Sequence, residues 1–224
     1  MEVPLHEQLR LELLSGMYAP GERLKVARLC ETYGVSLSVI REALTRLSEQ
    51  GLVRAERHRG FAAIPLDMAD LEDLTAARVQ IETVCLRRSI ARGDMDWEGA
   101  VVSAQYRLSR TPIATFGDDP DQARAWADAH SAFHAALCAA CASPRLLELR
   151  QQLFDATEIY RVWLSQRMVG VRDDTGEHQE IAEAVLGRET ERACDLISAH
   201  VIETSEQLPW SPLADGGPGA AAQG

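Results

Sequence analysis

The hydrophobic pattern of this chain changes character near residue 66, and that change limits the folds open to it. Beyond Pro65 and Asp67 the apolar residues recur at helical spacing and strand signals are nearly absent. Before that point, short helical runs give way to two extended stretches, "LVRAE" and "GFAAIP", joined by the basic turn "RHRG". The sequence therefore predicts two units. One spans residues 1–66 and is mixed; the second spans 67–208 and is all-helical. The Gly/Ala/Pro-rich run at 209–224 is expected to be a disordered tail.

The front unit reads in detail. A helix from Pro4 to about Ser15 places Leu5, Leu9, Leu13 and Leu14 on one stripe, and "SGMYAPG" breaks it. A second helix covers 26–33 and stops at Gly34. A third covers about 36–50, with Val39, Ala43, Leu44 and Leu47 expected inward and Gly51 as its stop. Three helices followed by a two-stranded ribbon form a winged helix-turn-helix. The rear unit reads as six helices, at about 70–92, 96–110, 120–142, 144–166, 174–187 and 189–208.

Charge supports the division. The net charge of −11 argues against nucleic acid on average, but residues 1–65 hold nine Lys+Arg against eight Glu, and the remainder holds fourteen Arg against 26 acids. A near-neutral head on an acidic body suits a small DNA-binding module fused to a second domain. No apolar run approaches the roughly 18–20 residues of a membrane span, and the N-terminus lacks the apolar core of a secretory signal. A cytoplasmic location is expected. Five scattered cysteines argue against a disulfide framework. The lone "CAAC" at 138–141 reads as small buried residues.

Two motifs carry chemistry. In "HSAFH", His130 and His134 stand four apart in a helical run and so share a face. His178 and His200 are 22 residues apart, roughly 33 Å on one straight helix and too far for a common ion. Gly187 lies near the midpoint, and a hairpin there would bring them side by side. Four imidazoles would then converge inside a bundle, a common place for a metal site. Asp128 falls off the face that His134 occupies. A hydrolase of the HExxH type is excluded because Ser131 stands where its glutamate belongs. No Glu-x-x-His pair of the di-iron type is present either.

At "APGERL" (19–24), "GVSLSVIREALTRLSEQGLV" (34–53) and "RHRGFAAIPL" (57–66) the chain resembles the winged-helix head of the GntR regulators. The resemblance implies binding to double-stranded, palindromic operator DNA by a homodimer. Ser36 is expected to cap the third helix, whose amides would meet a phosphate. Ser38 and Arg41 would lie on the helix's exposed face, the Ser38 hydroxyl reaching a phosphate and the Arg41 guanidinium reaching guanine O6 and N7 in the major groove. Arg57, His58, Arg59 and Gly60 occupy the wing turn, and Arg23 and Arg46 are candidate phosphate partners. Two positions depart from the pattern: Leu37 and Ala27 stand where many relatives carry arginine.

Residues 70–208 resemble the FCD effector domain of the FadR branch, closest to its shorter, six-helix VanR-like subgroup. The resemblance rests on "LTAARVQIETVCLRRSIAR", "AHSAFHAALCAACASPRLLEL" and "EHQEIAEAVLGRETERACDLISAH". It implies a metal held at His130, His134, His178 and His200, with His130 replacing the aspartate of relatives. An all-nitrogen set leans toward zinc or nickel. A small carboxylate effector would bind there, aided by Arg78 and Arg161. The function so implied is a ligand-responsive transcription regulator, a repressor released by an organic acid. The alternatives are a metal-responsive regulator and a metal-dependent enzyme on a helical bundle.

Overall fold

The computed structural model describes residues 4–56, 59–114, 119–165 and 175–208. The wing-turn residues 57 and 58 and the tail at 209–224 lie outside them. The chain is predominantly helical, in the order α1 (Leu5–Leu14), β1 (Arg23–Leu24), α2 (Val26–Tyr33), α3 (Leu37–Glu49), β2 (Val53–Glu56), β3 (Gly60–Ala63), α4 (Met68–Arg92), α5 (Met95–Arg110), α6 (Pro120–Cys138), α7 (Pro144–Ser165), α8 (Thr175–Leu186) and α9 (Thr190–Glu206), with a 3-10 turn at Ala139–Cys141. The mainly α class and the six rear helices are as the sequence implied.

In the head, α2 and α3 form the helix-turn-helix around Gly34, and β2 and β3 form the wing. A third strand was not expected. β1 pairs antiparallel with β3, giving the order β1-β3-β2. At two residues it is too short to show alternation. Two further expectations for α3 fail. Val39 is exposed, and Ile40 takes the inward place beside Ala43, Leu44 and Leu47. These four residues define one 3.6-residue stripe, and Val39 lies a full step off it. Ser36 holds the N-cap position but makes no side-chain bond to the helix amides. Its hydroxyl instead meets that of Ser38 at 2.9 Å.

α4 starts two residues earlier than the periodicity indicated because Asp67 caps it. The Asp67 carboxylate accepts from the amides of Ala69 (2.8 Å) and Asp70 (3.4 Å). Around α4 pack α6, α7 and α9, with α5 against α6 and α8. The α8–α9 hairpin expected at Gly187 is present, but the left-handed residue that turns the chain is Arg188, at φ 57°. The amide of Glu189 reaches Ala184 O at 2.9 Å and that of Arg188 reaches Val185 O at 3.1 Å, a Schellman closure. Arginine occupies this glycine-type position because its guanidinium is used. It donates to Ile90 O, Gly93 O and Glu98, and lies 5.2 Å from the Trp97 ring centre, tying the hairpin to the α4–α5 corner.

Head and bundle are joined through α7. Ile159 is buried in the head's core with Leu9, Leu13, Ile40 and Leu47, and Trp163 packs against it. Arg10 on α1 grips Asp155 of α7 with two nitrogens, Nε at 2.8 Å and Nη2 at 2.6 Å. Tyr160 donates to Asp70 at 2.5 Å and accepts from the Asp67 amide at 3.3 Å.

Candidate metal centre and DNA-facing surface

Three helical elements deliver four imidazoles to one buried point. α6 supplies His130 and His134 from successive turns, α8 supplies His178 and α9 supplies His200. All four are buried, and each offers a ring nitrogen within 4.8 Å of the others. The hairpin does what the 22-residue spacing required: the His178 and His200 rings lie 4.6 Å apart. The Nε2 atoms of His130 and His134 stand 3.2 Å from each other. In a tetrahedral site with metal–nitrogen bonds of about 2.0–2.1 Å the nitrogens are roughly 3.3–3.4 Å apart, so this pair already has the spacing of two ligands on one ion.

The far sides of three of these rings face carboxylates, and one of the three is at hydrogen-bond distance. His134 Nδ1 lies 3.9 Å from Glu82, His130 Nδ1 lies 3.9 Å from Glu158, and His200 Nδ1 meets Glu177 at 2.8 Å. A ligand imidazole backed by a carboxylate has its ring orientation and basicity set from behind. The carboxylates are clamped in turn. Arg78 Nε reaches Glu82 at 3.2 Å and Arg150 Nη2 lies 3.3 Å from the same oxygen. Arg161 binds Glu158 through Nε and Nη2 at 2.8 and 2.6 Å. Aromatic walls close the site. Trp126 stacks on His130 at 4.7 Å, with Arg161 over its ring, and Phe154 lies under both Arg78 and Arg150.

This environment keeps His130 and His134 neutral, the form that ligates. Burial pushes His134 down to about 3, against the pull of Glu82, and drives His130 well below its usual value together with His134, His178, Arg161 and His200. Burial opposes ionisation of Glu82, yet Arg150, the nearby His134 and Arg78 hold its carboxyl well below the ordinary range. The donor set, its spacing and its backing carboxylates fit a divalent ion.

Arg78 and Arg161 therefore stand at the centre's edge, each engaged with a carboxylate. Sequence reasoning missed Arg150, Glu158, Glu177, Trp126 and Phe154. Glu158 and Arg161 are an i, i+3 pair and Glu177 adjoins His178, but acids on a helical run ordinarily mark a wet face. Asp128 is exposed, as its spacing from His134 implied.

The DNA-facing candidates form a separate surface. Ser36, Ser38, Arg41 and Arg46 are exposed on or just before α3, Arg23 is exposed on β1, and Arg59 and Gly60 are exposed at the wing. Gly60 sits at φ 92°, with nothing within 4 Å of where a Cβ would lie, so conformation rather than space calls for glycine. Arg57 and His58 lie outside the described residues.

Comparison with known proteins matches both units. Residues 4–62 fit the model described as bacterial regulatory proteins, gntR family, and residues 73–203 fit that of the FCD domain. The chain belongs to the GntR family, with an FCD domain. It is 33% identical over 195 residues to the uncharacterized HTH-type transcriptional regulator BphR of Paraburkholderia xenovorans, covering 87% of this chain and 80% of that protein. It is 31% identical over 198 residues to the HTH-type transcriptional repressor GlaR of Escherichia coli, covering 87% and 89%. Among solved structures, E. coli McbR/YncC shares the fold with a TM-score of 0.73 at 19% identity, covering 90% and 92%. A putative GntR regulator from Rhodococcus sp. RHA1 does so at 0.72 and 24%, covering 91% and 95%. This GntR protein is thus a DNA-binding transcription regulator rather than an enzyme. Among the described residues no helix is long and apolar enough to cross a membrane.

Proposed function

We propose that this chain is a cytoplasmic, homodimeric repressor released from a palindromic operator by a small carboxylate bound at a metal centre. Residues 1–66 form the DNA-binding head, residues 67–208 the effector-binding and dimerising bundle, and 209–224 a tail. Operator contacts come from Ser36, Ser38 and Arg41 on α3, Arg57, His58, Arg59 and Gly60 in the wing, and Arg23 and Arg46 toward phosphates. His130, His134, His178 and His200 hold the ion, zinc or nickel by their all-nitrogen character.

The observation that carries this reading is the buried four-histidine cluster with its carboxylates. When bound, the ion offers open coordination positions to an acidic ligand. Charge favours an anion there. Among the described residues, Arg78, Arg150 and Arg161 are matched by Glu82, Glu158 and Glu177. An imidazole ligates in its neutral form, so four of them leave the ion's charge unmatched in a buried site, where uncompensated charge is costly. A carboxylate supplies the missing charge, with Arg78 and Arg161 at the edge of the site to orient it. Effector binding acts only through different affinities for DNA-competent and DNA-incompetent arrangements of the heads.

The test is operator binding by fluorescence anisotropy on DNA from the chain's own upstream region. Chelator-treated, zinc-loaded and nickel-loaded protein are compared across a panel of small carboxylates. One acid is expected to weaken operator binding at least tenfold in loaded protein, and operator DNA should weaken that acid's binding by the same factor. His134→Ala should bind operator and ignore the acid. A variant that responds like the wild type, or protein that retains no metal, overturns the reading. Operator release on chelation alone, with no response to any acid, would instead make the ion itself the signal.

A further inference from the structure

The opening turn of α3 exposes two large apolar side chains on a surface otherwise made of hydroxyls and charges. Leu37 is 55% exposed and Val39 42%, whereas the residues that hold α3 in the head's core, Ile40, Ala43, Leu44 and Leu47, are nearly completely covered. At 100° per residue, Leu37 shares a flank with Arg41, and Val39 shares the opposite flank with Arg46. Ser38, Glu42 and Thr45, all exposed, lie between. The two apolar groups thus straddle the polar centre of the exposed face. They are not part of any core cluster of the described residues.

In a helix-turn-helix the N-terminal residues of the second helix meet base edges in the major groove. The one apolar group that the major groove presents is the C5-methyl of thymine, next to the hydrogen-bonding edges that serine and arginine read. A branched aliphatic side chain at this point has no hydrogen-bonding partner on DNA, and leaving it against water gains nothing. Against a methyl group it removes apolar surface from water on both sides.

We propose that Leu37 and Val39 read thymine methyl groups, so that each operator half-site carries a thymine on either side of the base contacted by Arg41. The inference rests on α3 being the helix that enters the groove. It goes beyond the operator contacts named above by assigning sequence preference to two residues that carry no polar group. It also gives a physical reason for an uncharged residue at position 37: the position reads a base by its apolar methyl group instead of contacting DNA through a charge.

The experiment replaces thymine by deoxyuridine, which removes the methyl and leaves every hydrogen-bonding edge in place. The operator is first located by footprinting on the chain's own upstream DNA. Each half-site thymine is then substituted in turn and binding measured by anisotropy at fixed salt. Burial of one methyl-sized group corresponds to about a fourfold change in affinity, so symmetric substitution in both half-sites should cost roughly fifteenfold. The same substitutions are repeated with Leu37→Ala and Val39→Ala, both exposed positions whose variants should keep the wild-type melting temperature. At one thymine the deoxyuridine penalty should vanish in Leu37→Ala, and at another in Val39→Ala.

If no deoxyuridine substitution weakens binding, or if the penalties persist unchanged in both variants, the proposal is wrong. If Arg41→Ala and both alanine variants bind the operator as the wild type does, α3 is not the reading helix and the DNA-contact assignment falls as well. The two failures are therefore distinguishable.

Discussion

The ion pair between Arg10 and Asp155 joins α1 of the head to α7 of the bundle, and its removal is a sharp test of how the two units are held. Arg10 is 16% and Asp155 8% exposed, and the fork geometry is two-pronged at 2.6–2.8 Å. Each partner also has a second contact. Glu7 receives Arg10 Nη1 at 3.0 Å, and Gln151 Nε2 donates to Asp155 at 2.7 Å. Breaking a buried pair by deleting one partner costs about 3–5 kcal/mol, because a charge is left stranded. Here the second contacts and slight exposure reduce this, so Asp155→Asn and Arg10→Gln should each lose roughly 2–3 kcal/mol. In a chain of this size that lowers Tm by roughly 4–12 °C. The double variant should lose about 2 kcal/mol less than the two single losses together, the signature of a direct interaction. Urea unfolding of the four proteins, with thermal melts alongside, measures the cycle. Additivity within about 0.5 kcal/mol would falsify the clamp as an energetic link. Because the α7 turn bearing Glu158 backs His130, the uncoupled double variant should also show a weaker operator response to effector.

Three further outcomes are expected. Arg41→Ala should abolish specific operator binding, at about 1–3 kcal/mol per half-site, while melting as the wild type; retained nanomolar binding would remove that assignment. Arg188→Ala should be less stable than Arg188→Gly by roughly 1 kcal/mol, since both lose the bonds to Gly93 and Glu98 but only glycine relaxes at φ 57°; equal chemical denaturation midpoints would show that the turn is unstrained. Metal-free protein should lose stability as pH falls. His130 and His134 titrate far below the unfolded value of about 6.5, His134 at about 3. The unfolded chain therefore takes up protons first, and stability drains away from near pH 6.5 downward toward pH 3. A melting temperature unchanged between pH 7 and pH 5 contradicts this.

Much of the molecule was legible in residue order. The switch of period near residue 66, the glycines at 34, 51 and 60, and the "REAL" block define a winged helix followed by a helical bundle, because these signals are local and each acts within a few residues. The i, i+4 spacing of His130 and His134, and the need for a turn between His178 and His200, were local too. What the sequence missed at this level was small. The two-residue β1 is too short to carry a period, and the inward stripe of α3 was misplaced by one residue, with Val39 standing for Ile40.

Tertiary structure decided the rest. Glu82, Glu158, Glu177 and Arg150 look like ordinary solvated charges in sequence; only the packing of α4, α6, α7, α8 and α9 buries Glu82, Glu158 and Arg150, brings the three carboxylates near imidazoles and sets Arg150 against Glu82. The same packing sets Arg78 and Arg161, which the family resemblance implied as effector-binding arginines, against Glu82 and Glu158. Arg188 takes a glycine's conformation because carbonyls and a carboxylate from distant residues receive its guanidinium. Period and turn chemistry report what a residue does to its own segment. The environment that neutralises a histidine or aims a carboxylate comes from segments tens of residues away, and is set only when the bundle closes.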